Sequence, residues 1–147
     1  MRCTLEMDTK TALVSYIILD TIFVGIGMGV PFFCILFGFP VGWYLGKRLS
    51  INNLHISDIL KSILKYATFT SLFTLVLMLI IWGPMTIMLG DPTVNFANLG
   101  IPLILYDPKI SFIGWLILMI IISPFLQLLT TVFASNVTLW RSSKKTN

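Results

Sequence analysis

Charged residues are scarce in this sequence, and their scarcity indicates its class. Only 11% of the 147 residues are charged, whereas soluble globular proteins average about 25%. The 10 basic and 6 acidic residues leave the ranges 21–46, 66–90 and 110–140 without any charge. Apolar segments of about 20 residues are long enough to cross a bilayer as helices. Together with a mean hydropathy of +0.93, this pattern predicts an all-α integral membrane protein with a single membrane domain over residues 1–147.

Residues that carry catalytic and metal chemistry are also rare. There is a single histidine, His55, and the two cysteines, Cys3 and Cys34, lie far apart. These counts exclude haem held by paired histidines, a histidine-rich zinc site and a CxxC motif. No glycine-rich phosphate loop or GxSxG nucleophile motif occurs. We therefore expect no catalytic residue, no metal ion and no cofactor, and we predict that the protein is not an enzyme.

The charge balance is basic, with a net charge of +4 and an isoelectric point near 9.3. A basic surface can bind nucleic acid, but in a membrane protein an excess of Lys and Arg is typical of segments facing the anionic cytoplasmic leaflet. The expected partner is therefore the lipid bilayer and not nucleic acid.

Two spans, 66–89 and 110–133, have clear borders. The segment 47–65 and the C-terminal tail are basic, whereas the connector 90–109 holds two aspartates and a single lysine. The positive-inside rule then places 47–65 and the tail in the cytoplasm and the connector outside. All four tryptophans lie near predicted borders, where indole rings prefer the headgroup region: Trp43, Trp82, Trp115 and Trp140.

The first apolar segment, 11–46, is too long for one span, because a single helix would measure roughly 54 Å against about 30 Å of hydrocarbon. Clustered glycines and Pro31 predict a turn near its middle. This gives spans over about 8–27 and 31–46, and a four-helix transmembrane bundle in the cell membrane with both termini cytoplasmic. The alternative has three spans with a long, broken first helix. In it a single tilted span covers about 21–46, an interfacial stub precedes it and the N-terminus lies outside, which keeps Asp20 out of the hydrocarbon. The N-terminus lacks the features of a cleaved signal peptide.

Two connectors have a pattern of their own. Within 57–65, apolar residues recur at helical spacing beside two lysines, Ser57 is a candidate N-cap, and Asp58 suits the first turn. This predicts a basic amphipathic helix on the inner leaflet, and the alternative is that 57–65 forms the first turns of the third span. The range 98–108 either dips into the interface or packs on helix ends.

Polar residues inside the spans are the candidate sites. A carboxylate at the depth expected for Asp20 costs about 2.5–3.5 kcal/mol, so Asp20 serves either as a proton carrier or as a hydrogen-bonded structural residue. A polar stripe beside Pro124 either lines a pathway or bonds neighbouring helices. Its members are Ser123, Gln127, Thr130 and Thr131. We expect Asp20 and Gln127 at different depths and predict no pairing between them.

Glycines recur at a spacing of four residues, which lets helix backbones approach closely in lipid. One pair lies in the first apolar segment and a series of three follows it: Gly25 and Gly29, then Gly38, Gly42 and Gly46. The groove that these glycines form accepts either another helix of the same chain or a second copy.

The sequence does not specify a biochemical activity. It favours a small multi-pass membrane protein that acts through helix packing, as an accessory, assembly or sensing component whose partner is a second copy or another membrane protein. The alternative is a proton-coupled small-solute transporter or channel subunit that works as an oligomer, because four thin helices enclose little space for a pathway.

Overall fold

The computed structural model describes residues 9–26, 32–51, 55–101, 103 and 105–144. Over these residues the protein is all-helical, with no strand. Five α-helices follow one another along the chain: α1 (Thr9–Ile26), α2 (Phe32–Ile51), α3 (Ile56–Trp82), α4 (Pro108–Ile117) and α5 (Ser123–Ser143). The 3-10 helices Gly83–Gly90 and Phe96–Asn98 follow α3, and the π-helical turn Leu118–Ile122 joins α4 to α5.

Two helical stretches are long and apolar enough to cross a membrane. They are Ile56–Gly90, with 35 residues, and Pro108–Ser143, with 36 residues. They contain the predicted spans 66–89 and 110–133, and each continues past its predicted border at the basic end. At the start of α3, Lys61 and Lys65 end the hydrophobic run but not the helix, since Lys has good helix propensity. Beyond residue 133 the chain stays free of charge up to Trp140, and the helix continues with it. Within α1, the range Thr11–Gly25 forms a shorter apolar helical stretch.

The helices α1 and α3 run parallel to each other. The Tyr16 hydroxyl donates to the backbone carbonyl of Thr70, and one turn later Asp20 accepts a hydrogen bond from Thr74. Residue numbers therefore rise together along the two helices. Because side chains four residues apart lie on the same face of a helix, Tyr16 and Asp20 face α3 together.

The helix α5 runs antiparallel to α3. Ser71 donates to the backbone carbonyl of Pro124 at 2.7 Å. Further along α3, the Trp82 ring meets the Trp115 ring edge to face, with centroids 4.4 Å apart. Trp115 belongs to α4, which continues through the π-helical turn into α5. Residue numbers therefore rise along α3 in the direction in which they fall along α4 and α5. Around the tryptophans lies the main hydrophobic cluster, which draws on α1 to α4 and the π-helical turn: Val24, Cys34, Met78, Phe112, Trp115, Leu116 and Met119.

The contact between α2 and α5 is the most extensive in the fold, and it depends on three glycines. Gly38, Gly42 and Gly46 form one stripe of α2 that faces α5. A Cβ atom at Gly42 would lie 2.8 Å from the Ala134 Cβ, and one at Gly46 would lie 2.8 Å from the carbonyl oxygen of Ser135. These distances are below van der Waals contact, so only glycine permits this approach. The occupant of the predicted groove is a helix of the same chain, and α2 and α5 run parallel.

Hydroxyl groups of α5 reinforce this contact. Ser135 donates to the carbonyl of Gly42 at 3.0 Å, and Thr130 donates to the carbonyl of Ile35 at 2.9 Å. The other predicted glycine pair differs. A Cβ atom at Gly25 would meet nothing within 4 Å, so no close approach requires this glycine, and Gly29 lies outside the described residues.

The segment 57–65 is continuous with the helix that follows it. The helix α3 begins at Ile56, so this segment forms its first turns and not a separate helix. The prediction that Ser57 caps the helix is wrong, because the helix begins one residue earlier. His55 occupies the N-cap position and makes no side-chain capping bond.

The connector after α3 is organised by its two aspartates. The Asp107 carboxylate accepts from the backbone N–H of Lys109 at 2.8 Å and so caps α4. Asp91 is exposed, and hydrogen bonds from the Thr93 hydroxyl and backbone N–H hold the pKa of its carboxyl below the usual range. The Phe96 ring packs against the Phe112 ring of α4, with ring centroids 5.2 Å apart. This contact attaches the connector to the end of the helix.

The glycine stripe predicts a position-specific response to one added methyl group. Gly42→Ala should lower stability by about 1–3 kcal/mol, because the methyl group meets backbone and Cβ atoms that have no room to move. Gly114→Ala is the matched control, since a Cβ atom there meets nothing within 4 Å, and it should leave stability unchanged or slightly raised. The measurement is thermal melting of the two purified variants in one detergent. Equal melting temperatures would contradict the close contact of α2 and α5.

Candidate functional site

The interior of the helix assembly contains many polar side chains beside its hydrophobic cluster. Asp20 and Thr74 are both 0% exposed, and further hydroxyl and amide groups are buried with them: Thr70, Ser71, Ser111, Ser123, Gln127, Thr131 and Ser135. Buried polar groups are costly unless they are hydrogen-bonded. The partners of these groups therefore define the candidate site.

The Asp20 carboxyl group lies at the centre of the site, between three helices. Thr74 Oγ1 of α3 donates to Asp20 Oδ2 at 2.7 Å. Gln127 Nε2 of α5 lies 3.5 Å from Asp20 Oδ1, which makes a long hydrogen bond. Each carboxyl oxygen thus faces a donor from a different helix. Asp20 links α1 to α3 and α5.

Tyr16 lies one turn before Asp20 and belongs to the same network. Its hydroxyl donates to the Thr70 carbonyl at 2.9 Å and accepts from Gln127 Nε2 at 3.3 Å. Thr74 Oγ1 lies 3.1 Å from the same hydroxyl. We call these five residues, Tyr16, Asp20, Thr70, Thr74 and Gln127, the polar cluster.

Two buried oxygen atoms beside the cluster have no hydrogen-bond partner among the described residues. They are Gln127 Oε1 and Ser123 Oγ. The two residues lie four positions apart on α5, so their side chains share one face. Rotating the Gln127 amide would present an acceptor to Asp20 in place of a donor. The amide can therefore pair with a carboxylate by donating or with a protonated carboxyl by accepting.

Pro124 and the π-helical turn set the orientation of this part of α5. The Ser123 N–H bonds to the Leu118 carbonyl, five residues back. The Pro124 ring supplies no N–H and clashes with the carbonyl four residues before it. A wider turn ahead of the proline relieves this clash and rotates the residues that follow, and π-helical turns are frequent at functional sites. Ser71 bonds the Pro124 carbonyl from α3.

The expectation that Asp20 and Gln127 lie at different depths is wrong. The helix α5 continues to Ser143, so Gln127 lies well inside a stretch of 36 residues and not near its C-terminal end. This extra length brings the glutamine level with the middle of α1. The predicted border at 133 had placed it too close to the cytoplasmic side.

The other predicted polar residues lie near the cluster but bond elsewhere. Thr131 donates to the carbonyl of Gln127 in its own helix at 2.8 Å, and Thr130 bonds to α2. Sequence reasoning missed Tyr16, and it gave Thr70 and Thr74 only the general expectation of bonding between helices, without a partner. The spacing of four residues that joins Tyr16 to Asp20, and Thr70 to Thr74, is the signal that would have found them.

Comparison of the chain with protein-family models, with curated proteins and with solved structures finds no match.

The network predicts that one buried hydroxyl stabilises the fold and that a similar exposed one does not. Tyr16→Phe removes the bond to the Thr70 carbonyl and one partner of Gln127, and it should cost about 1–3 kcal/mol. Tyr106→Phe is the matched control, because Tyr106 is fully exposed. Melting temperatures in detergent compare the two variants. If Tyr16→Phe had the same melting temperature as the wild type, the Tyr16 hydroxyl would contribute nothing to stability.

Proposed function

We propose that the chain is a multi-pass membrane protein of the cell membrane. The support is the distribution of polarity along the single helix α3, which buries hydroxyl groups together with apolar side chains and exposes large apolar side chains. Thr74 is 0% exposed, whereas Leu72 is 56% and Ile80 is 66% exposed. Soluble monomers rarely expose large contiguous apolar surfaces. Hydrocarbon covers such a surface without cost, and buried hydroxyl and amide groups then hold the helices together.

The alternating directions of the helices favour four spans over three. The parallel pairs are α1 with α3 and α2 with α5, and the two pairs run in opposite directions, as a chain that crosses four times requires. With 18 and 20 residues, α1 and α2 are roughly 27 and 30 Å long, close to the hydrocarbon thickness. The burial of Asp20 among donors also removes the reason for keeping it out of the membrane.

The basic helix ends favour a cytoplasmic location for both termini. Lys47 of α2 and Arg141 of α5 line one cavity, so the C-terminal ends of these helices lie on the same side. Under the positive-inside rule that side is cytoplasmic. A chain with four crossings then begins on that side as well.

Within the membrane we propose an accessory or assembly role exerted through helix packing, with another membrane protein or a second copy as partner. The observation that carries this proposal is the complete burial of Asp20 between donors of α3 and α5. Lipid provides no hydrophobic force between helices, and α1 has few contacts with the rest of the fold. The polar cluster therefore acts as the attachment of α1. The side chains of the cluster join the helices to one another. All of them are buried, so none is exposed as a catalytic group.

A proton-coupled transporter or channel subunit is the second candidate. It is favoured by the two unpartnered oxygen atoms, Gln127 Oε1 and Ser123 Oγ. A Gln127 amide that rotates when Asp20 gains a proton would couple protonation to a change at α5. Such a switch requires Asp20 to bind and release a proton, which gives a direct test.

Replacement of the carboxyl group by an amide separates the two candidates. Asp20→Asn still hydrogen-bonds to Thr74 and Gln127 but carries no titratable proton. Under the packing proposal, the variant should express, and its free energy of unfolding should lie within about 1 kcal/mol of the wild-type value. Its pH-driven solute flux in liposomes between pH 5 and 8 should equal that of the wild type. Asp58→Asn, an exposed change of the same charge, is the control. A pH-driven solute flux that Asp20→Asn abolishes and Asp58→Asn keeps would establish the transporter instead.

The four-span topology has its own prediction. Reporter fusions at residue 5, within 28–31, after residue 53 and after residue 95 should read inside, outside, inside and outside in turn, because each span reverses the side. An exported reporter at residue 5 would contradict this topology and support three spans.

A further inference from the structure

A cavity lies where the C-terminal ends of α2 and α5 meet. Its volume is about 230 Å³, and it is lined by Trp43, Lys47, Thr138, Arg141 and Ser142. The close parallel packing at the glycine stripe brings these side chains together, since a Cβ atom at Gly46 would lie 2.8 Å from the Thr138 Cβ. One helix supplies an indole and an ammonium group, and the other supplies a guanidinium group and two hydroxyls.

The lining of this cavity is cationic. Lys47 and Arg141 bring two positive charges, and the part of the chain that the structure describes places no acidic residue in the lining. The Lys47 ammonium lies over the Trp43 ring, 4.4 Å from its centroid, so the indole holds it at the cavity wall. Arginine presents a planar fork of donors that matches two oxygens of a phosphate group. The chemistry of the cavity is therefore that of a phosphate-binding site.

Aromatic side chains give this site an interfacial character. Trp43 and Trp140 are both half exposed at the same end of the helices, and the Lys144 ammonium lies 4.2 Å from the centroid of the Trp140 ring. Tryptophan prefers the depth of lipid headgroups. Apolar side chains of α2, among them the exposed Phe39, continue from the cavity toward the hydrocarbon. The phosphate of a bound lipid would thus lie in the cavity, and its acyl chains would lie along the adjacent apolar surface of α2.

We infer that this cavity binds the phosphate of an anionic phospholipid from the cytoplasmic leaflet, and that Lys47 and Arg141 contact this phosphate. The inference rests on the membrane placement proposed above. Basic pockets between transmembrane helices on the cytoplasmic side are known to bind anionic headgroups. The site fixes where along the protein such a lipid is held, at the α2–α5 contact and not at the basic first turns of α3.

Lipid titration of the full chain in detergent, read by native mass spectrometry, tests the inference. The ligands are phosphatidylglycerol and phosphatidylcholine, and the test variant carries Lys47→Gln with Arg141→Gln. Each basic residue near the membrane surface contributes roughly fivefold to the binding of an anionic lipid, so the double change should weaken phosphatidylglycerol binding roughly thirtyfold. Phosphatidylcholine carries the same phosphate, but its choline ammonium cancels the charge, so it should bind the wild type more weakly than phosphatidylglycerol and lose less on the double change.

A second double variant controls for charge alone. Lys61→Gln with Lys65→Gln removes two exposed lysines from the first turns of α3 and should leave phosphatidylglycerol binding unchanged. If both double variants weaken binding equally, the attraction is diffuse and the site does not exist. Equal binding of the two lipids by the wild type would overturn the inference as well. Melting curves of both variants check that the fold is kept.

Two further arms separate the remaining outcomes. Soluble glycerol phosphate should compete poorly, and competition as strong as that of the lipid would assign the cavity to a free phosphate compound. Alkaline washing of membranes tests the membrane placement independently, because an integral protein stays in the pellet. Release by the wash would overturn the proposed function, whereas retention without a lipid preference would overturn this inference alone.

Discussion

A carboxyl group without any exposed surface is the constraint on which the structure depends. Asp20 requires donors in the interior, and the fold supplies them from two different helices, Thr74 of α3 and Gln127 of α5. An unpaired buried polar group costs several kcal/mol in an apolar medium. Asp20 therefore fixes how α1 faces α3 and α5, and Tyr16 repeats the same connection one turn earlier.

The glycine stripe of α2 and the polar cluster are coupled. A Cβ atom at Gly38 would lie 2.7 Å from the carbonyl oxygen of Gln127, so α2 rests against the backbone of the residue whose side chain reaches Asp20. The close approach of α2 and α5 fixes the position of Gln127, and Gln127 in turn fixes α1. Small residues and buried amides thus act together, which is the usual way that helices associate where the surrounding medium is itself apolar.

This arrangement supports a protein that works through its packed helices. The polar groups of the cluster are directed inward at one another, many large apolar side chains are exposed, and two cations lie together at the C-terminal ends of α2 and α5. Two oxygen atoms without a partner among the described residues, those of Gln127 and Ser123, are the exception, and the amide of Gln127 contacts the Asp20 carboxyl group. A proton-dependent change in this protein would begin there.

The sequence alone determined the all-helical class, the two long apolar stretches and the glycine stripe of α2, because hydropathy, charge spacing and small residues at intervals of four are local properties. It also marked Asp20 and Gln127 as singular, since polar groups stand out in an apolar run. Only the tertiary structure decided that these two residues meet, that Tyr16 and Thr74 complete their cluster and that α5 occupies the groove of α2. Such pairings depend on where each helix ends and on how the π-helical turn before Pro124 rotates α5, and neither is encoded in periodicity.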